Sequence, residues 1–296
     1  MINKILKSSF GAGIIIFAVA AVIALPVRTL QFFTVLENGT GFYAKTDWSV
    51  YLLYAVIAAA FFGLCIFGFM RRKKLAYSVE AVKRPGFGIL SLTAAAGAVI
   101  NALQSFSFLN GEEIITLEGK LNPTILILAA QAAFAALSAI YFLALGLSCI
   151  KGSAAASKLR ILSLSPVIWS IFRLVHRFTH TISYIRVSDL MFEMLMIAAF
   201  ILFFMAFAQC NSQVNSKGLE WKIGSYGLTA ALLALVCFVP RFIMTLTGNA
   251  QLLSSYSVVE YCDFALALFA ISAVSTRLTD RAPEEESVPE NASAEE

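Results

Sequence analysis

Charge is scarce in this sequence. Asp, Glu, Lys and Arg make up 14% of 296 residues, far below the roughly 25% of soluble domains, which excludes a water-exposed globular fold. Histidine occurs only twice and tryptophan three times. The five cysteines (Cys65, Cys149, Cys210, Cys237 and Cys262) lie within or at the ends of apolar stretches and show no Cys-x-x-Cys spacing. That pattern excludes a disulfide framework and a zinc module. No Walker-type or Gly-x-Gly-x-x-Gly phosphate loop is present, and the last apolar stretch has no Lys to hold a retinal. Nothing in the sequence calls for a cofactor.

Apolar side chains are abundant instead. They account for 59% of the chain, with 25 Phe and a mean hydropathy of +0.80, so lipid is the expected solvent for most of the surface. Runs of about 20 apolar residues, the length that crosses a bilayer as helix, predict spans at Gly11–Phe33, Trp48–Met70, Phe87–Leu109, Pro123–Cys149, Leu162–Ile182, Ser188–Cys210, Ile223–Leu246 and Val258–Thr276. The expected fold is an all-α, polytopic transmembrane helical bundle of about eight spans, arranged as four helical hairpins. Their bounds are roughly 1–75, 76–152, 153–215 and 216–280 within a transmembrane domain 1–280. The fifth and sixth spans are the weakest, because Arg173, His176, Arg177, His180 and Arg186 interrupt the apolar signal. Without that pair the count drops to six.

Alternating the spans places Lys4, Lys7, the Arg71-Arg72-Lys73-Lys74 block, Lys83, Arg84, Lys151, Lys158, Arg160, Lys217, Lys222, Arg277 and Arg281 on one side. By the positive-inside rule that side is the cytoplasm, giving a plasma-membrane protein with both termini inside. The opposite loops carry acids (Glu37, Asp47, Glu112, Glu113, Glu118). The basic residues thus report orientation, not a nucleic-acid partner, although the Arg71–Lys74 block also suits a protein or anionic lipid at the cytoplasmic face. Residues 281–296, with Glu284, Glu285, Glu286, Glu290, Glu295 and Glu296 among Pro, Ser and Ala, read as a disordered acidic tail.

Arg28, Asn101, Arg173 and Arg241 recur at similar depths in the odd-numbered spans, about 70 residues apart. Around the first two, Arg28-Thr29-Leu30-Gln31 matches Asn101-Ala102-Leu103-Gln104, and each segment then reaches an Asn-Gly pair. Duplication of one hairpin and mere equality of hairpin length both account for this period. The even-numbered spans each follow a residue suited to cap a helix N-terminus: Asp47, Asn122, Ser188 and Ser257, the last forming a capping box with Glu260.

Four arginines fall inside spans in the outer half of the membrane: Arg28, Arg173, Arg177 and Arg241. An Arg at the bilayer centre costs about 2.5–3.5 kcal/mol, so these side chains should face the protein interior. Acids occur at matching depths, Asp189 and Glu193 in the sixth span and Glu260 and Asp263 in the eighth. Trp169, Arg173, His176, Arg177 and His180 share one helical face, and so do Tyr256, Glu260 and Asp263. The predicted ligand-binding set is therefore Arg28, Arg173, His176, Arg177, His180, Glu193, Arg241, Glu260 and Asp263.

Several uses fit such a set. Surplus Arg can take an anionic small solute or a lipid headgroup in a transporter-like, outward-facing pocket. Alternatively, Arg and acid pair only to fix helix register in a structural, assembly or sensory subunit. A lipid-modifying enzyme with His176 or His180 as base and Glu193 or Asp263 orienting it stands third. A metal on His176 and His180 is disfavoured by the repulsion of Arg173 and Arg177. Phe172 and His176 have the Phe-x-x-x-His spacing of a family of membrane-embedded glutamate proteases. That family pairs Glu-Glu with an Arg four residues on, where Glu112-Glu113 here reaches Leu117, and the resemblance fails.

Overall fold

A computed structural model of the chain describes residues 10–37, 43–45, 47–77, 83–109, 122–152, 160–180, 187–212, 219–249, 253 and 260–280. The N-terminal lysines, the Asn-Gly pairs, Glu112, Glu113, Glu118, Arg186, Tyr256, Ser257 and the acidic tail lie outside the described residues. Eight α-helices occur among those described: α1 (Gly11–Thr34), α2 (Trp48–Arg71), α3 (Pro85–Leu109), α4 (Pro123–Lys151), α5 (Ser165–His180), α6 (Val187–Asn211), α7 (Glu220–Leu246) and α8 (Tyr261–Arg277). Two three-residue strands, β1 (Leu75–Tyr77) and β2 (Leu278–Asp280), pair antiparallel with Tyr77 opposite Leu278.

Among the described residues six helices are long and apolar enough to cross a membrane: α1, α2, α3, α4, α6 and α7. The chain is thus an integral, multi-pass membrane protein. The two that fall short are α5, with 16 residues, and α8, with 17. The sequence marked the fifth and sixth spans as weak, yet α6 qualifies. Helix α8 is described from Tyr261, and residues 254–259, which include the expected start at Val258, lie outside the described residues. Side chains such as Val22, Leu30, Phe62, Met70, Leu103, Leu126 and Ile140 are exposed on the bundle surface, the surface that lipid would cover.

Two of the expected caps form. The Asp47 side chain accepts from the Ser49 N–H at 3.4 Å, and Asn122 accepts from the Thr124 N–H at 3.0 Å, with Pro123 in the first helical position where a missing N–H costs nothing. Helix α4 ends on Gly152, whose φ of 70° lies in the left-handed region that suits glycine. The cap expected at Ser188 needs correction, whereas the one expected at Ser257 lies outside the described residues. Helix α6 starts at Val187, so Ser188 sits inside its first turn. Glu260 occupies the N-cap position of α8 without a capping hydrogen bond, because its carboxylate is engaged elsewhere, as described below.

Helices α3, α4, α5, α6, α7 and α8 pack in a closed ring, each on the next, with α8 returning to α3; α1 and α2 pack on each other and against α7. Helix α7 is the hub, with 78% of its apolar stretch buried against 22% for α2. The tightest seam joins α3 to α4. A Cβ placed on Gly88 would lie 2.8 Å from the Gly146 carbonyl oxygen, so the two backbones meet through glycine, as small residues allow in membranes. The ring is filled by phenylalanines. Phe269 of α8 meets Phe87 of α3 at 5.4 Å, Phe142 of α4 at 5.0 Å and Phe207 of α6 at 5.5 Å between ring centroids, and all four are buried. Such edge-on and tilted ring contacts add to the burial term.

Candidate functional site

The helical spacing of Arg173 and Arg177 turns both guanidiniums toward the start of α8. Arg173 Nη2 donates to Glu260 Oε2 at 2.5 Å and lies 2.8 Å from Asp263 Oδ1. The second contact is an ion pair without hydrogen-bond geometry, and Asp263 Oδ1 is buried with no hydrogen-bond partner. Arg177 donates through Nη2 to Glu260 Oε1, and its Nε lies 3.5 Å from Glu193 Oε2 on α6. The other oxygen of Glu193 is 2.5 Å from Arg241 Nη1 on α7.

The six side chains therefore form an alternating chain, Asp263, Arg173, Glu260, Arg177, Glu193 and Arg241, across four helices. Three positive groups face three negative ones. Each interior member touches two of opposite sign, so in a low-dielectric interior every desolvated charge has compensation close by. Five of the six side chains are 5–15% exposed, whereas Arg177 is 25% exposed. Arg177 is thus the point where the chain meets its surroundings.

Beneath the chain lies a neutral polar layer. The Arg173 guanidinium sits over the Trp169 ring, 5.5 Å from its centroid. The Trp169 indole N–H donates to Asn101 Oδ1 at 3.0 Å. Gln131 Nε2 donates to Ser105 Oγ at 2.9 Å and, at 3.3 Å, to the same Asn101 oxygen. All four side chains are buried. The sequence places Trp169 on the Arg173 face but gives no sign that its indole binds Asn101, 68 positions away.

The structure brings together six of the nine residues expected at the site. Arg28 has other described company: its Nη1 donates to Gln31 Oε1 at 2.9 Å and to the Tyr43 hydroxyl at 3.2 Å. Its guanidinium also lies 5.1 Å from the ring centroids of Phe32 and Phe192. His176 is half-buried on α5, its carbonyl accepting from Thr179 at 3.3 Å. His180 ends α5, and its side chain lies outside the described residues. Arg28, Asn101, Arg173 and Arg241, the four positions of the 70-residue period, are all buried.

No protein-family model, curated protein or solved structure matches the chain.

Proposed function

We propose that the protein binds an anionic small solute or a lipid headgroup, in the manner of a secondary transporter, through Arg173, Arg177 and Arg241 with Glu193, Glu260 and Asp263. In this reading all eight helices cross the plasma membrane, the end carrying Arg71–Lys74 faces the cytoplasm, and the charge chain lies near the outer surface. The observation that carries the reading is the alternating chain, with Arg177 as its most exposed member. Because each guanidinium already holds a carboxylate, an incoming carboxylate or phosphate must exchange with one. Such an exchange keeps the number of charge-assisted contacts, and Glu193, held by Arg177 and Arg241 together, is the group to be displaced.

The test is thermal unfolding of the detergent-purified chain titrated with acetate and with inorganic phosphate. Glu193→Gln removes the negative charge that an incoming anion must displace from Arg177 and Arg241 and should raise anion affinity about tenfold, the effect of 1.4 kcal/mol; Arg177→Gln should lower it by a similar factor. Anion responses that neither substitution alters would overturn the proposal.

A second reading is favoured by the equality of charge, three against three: the chain is a clamp that sets helix register in a structural or sensory subunit. Both substitutions would then lower the unfolding temperature, and neither would change its dependence on anion concentration.

A further inference from the structure

The chain of charges ends unequally. Arg241 closes it on Glu193 at one end, and Asp263 closes it on Arg173 at the other. Glu193 and Glu260 each lie between two guanidiniums. Asp263 has one described beside it, and that one already donates to Glu260. Its Oδ1 is buried without a hydrogen-bond donor. With 8% of its side chain exposed, Asp263 is also the least exposed of the three acids.

The surrounding elements do not make up the difference. Helix α5 brings Arg173 and Arg177, with half-buried His176 in the turn between them, and α6 brings Glu193. Helix α7 carries Arg241 and, one turn earlier, Cys237; its Glu220, Lys222 and Tyr226 stand at the other end of that helix. Helix α8 itself adds Glu260, Cys262 and the exposed Tyr261, and β2, with Asp280, lies beyond its far end. Helix α3 has no titratable side chain. Its Gly97 backs onto this turn so closely that a Cβ there would lie 3.1 Å from Cys262 Cα.

Empty, the chain is balanced, three charges against three. An entering carboxylate brings a further negative charge into a desolvated group, and such an excess is removed by binding a proton sooner than it is held bare. The acid that gives up least in doing so is the one with a single shared cation and an oxygen that no donor serves. We propose that Asp263 is a proton site coupled to the anion: as the anion enters, the Asp263 carboxylate takes one proton from the surrounding water. The loaded chain is again balanced, with three guanidiniums facing Glu193, Glu260 and the anion, while Arg173 keeps Glu260. The inference rests on the anion-binding reading of the same residues. By reciprocity the proton favours the anion as much as the anion favours the proton. The coupling ion of a transporter built on this site is therefore a proton, moving in the same direction as the anion.

Acetate tests the proposal because a simple carboxylate stays ionised above about pH 6. Mixing it with the purified full chain in weakly buffered detergent should take up about one proton for each acetate bound, so acetate affinity should fall about tenfold for each pH unit of increase. Asp263→Asn carries the neutral form permanently; it should bind acetate equally at every pH and take up no proton. Infrared difference spectra of the wild type locate the proton without relying on a variant. The protonated-carboxyl band that acetate induces should shift in protein made with isotope-labelled aspartate and stay in place with labelled glutamate. A band that moves with glutamate overturns the assignment to Asp263. Acetate binding without proton uptake overturns the coupling and leaves the anion site standing. Absence of any acetate response overturns the proposal, and a titration with inorganic phosphate then decides whether the anion site falls with it.

Discussion

Replacing Arg173 by Gln tests whether the six charges act as one chain. In the folded protein Arg173 holds Glu260 at 2.5 Å and Asp263 at 2.8 Å, and all three side chains are at most 15% exposed. Glu260 keeps Arg177 after the substitution, whereas Asp263 loses the cation described beside it, leaving two positive and three negative groups. Removing one partner of a buried pair typically destabilises by about 3–5 kcal/mol, because the other charge remains desolvated. Adding Asp263→Asn restores two against two and leaves Glu260, Arg177, Glu193 and Arg241 in alternation. The double variant should therefore recover most of the loss, with a coupling energy near the upper end of about 0.5–3 kcal/mol for interacting residues. Equilibrium unfolding in mixed micelles, followed by tryptophan fluorescence, measures all four corners of the cycle. Trp169 lies under the Arg173 guanidinium and reports the same region. Additivity of the two single substitutions within about 0.5 kcal/mol would refute the chain as an energetic unit, as would an Arg173→Gln variant of wild-type stability.

The α3–α4 seam should not tolerate a methyl group at Gly146: its Cβ would meet the Gly88 carbonyl oxygen and the Leu92 side chain at 2.9 Å, so Gly146→Ala should destabilise by about 1–3 kcal/mol. Gly86→Ala, where the new Cβ meets nothing within 4 Å, serves as the control in the same unfolding assay. Asn122→Ala removes the cap at the start of α4 and should cost about 1 kcal/mol, read as earlier amide exchange in the first turn of α4. Ser225 Oγ donates to the Leu64 carbonyl at 2.7 Å, tying α7 to α2; Ser225→Ala should cost about 0.6 kcal/mol, the average for hydrogen bonds between membrane helices.

Much of the bundle is legible in the sequence because membrane helices announce themselves by length and hydropathy alone. The starts of α2 and α4 are legible to the residue, since Asp47 and Asn122 cap through local contacts. The start of α8 is not. A capping box reads Glu260 as serving its own helix, but Arg173 and Arg177 arrive from 87 and 83 positions away and take both its oxygens. Helical spacing puts Arg173 with Arg177 and Glu260 with Asp263, yet which acid meets which Arg depends on how α5, α6, α7 and α8 close the ring. Arg28 shows the limit of depth as a guide: the sequence places it at a depth matching the others, but its described partners are Gln31, Tyr43 and two phenylalanine rings. The meeting of Tyr77 with Arg277 is invisible for another reason. Arg84 and Arg277 read as orientation signals, and only the pairing of two three-residue strands joins them to the buried hydroxyl of Tyr77.

Helix α8 ties these features together. At one end Glu260 and Asp263 bind it to α5, and at the other β2 continues from it into the pair with β1, which leads from α2 toward α3. Between them Phe269 is about 14 Å from Glu260 and about 12 Å from Arg277, at 1.5 Å per residue, and it touches rings from α3, α4 and α6. The phenylalanines thus separate the charge chain from the β1–β2 end of the same helix. A solute passing from the charge chain to that end would have to part these rings, and a tilt of α8 would part them most directly, since Phe269 is their common member. Such a tilt must loosen the Arg173 contacts or the β1–β2 pair, because each holds one end of the same short helix. Under the proposed reading the charge chain would bear on transport in two ways: its guanidiniums would offer a place for an anion, and its hold on Glu260 would set how easily α8 moves.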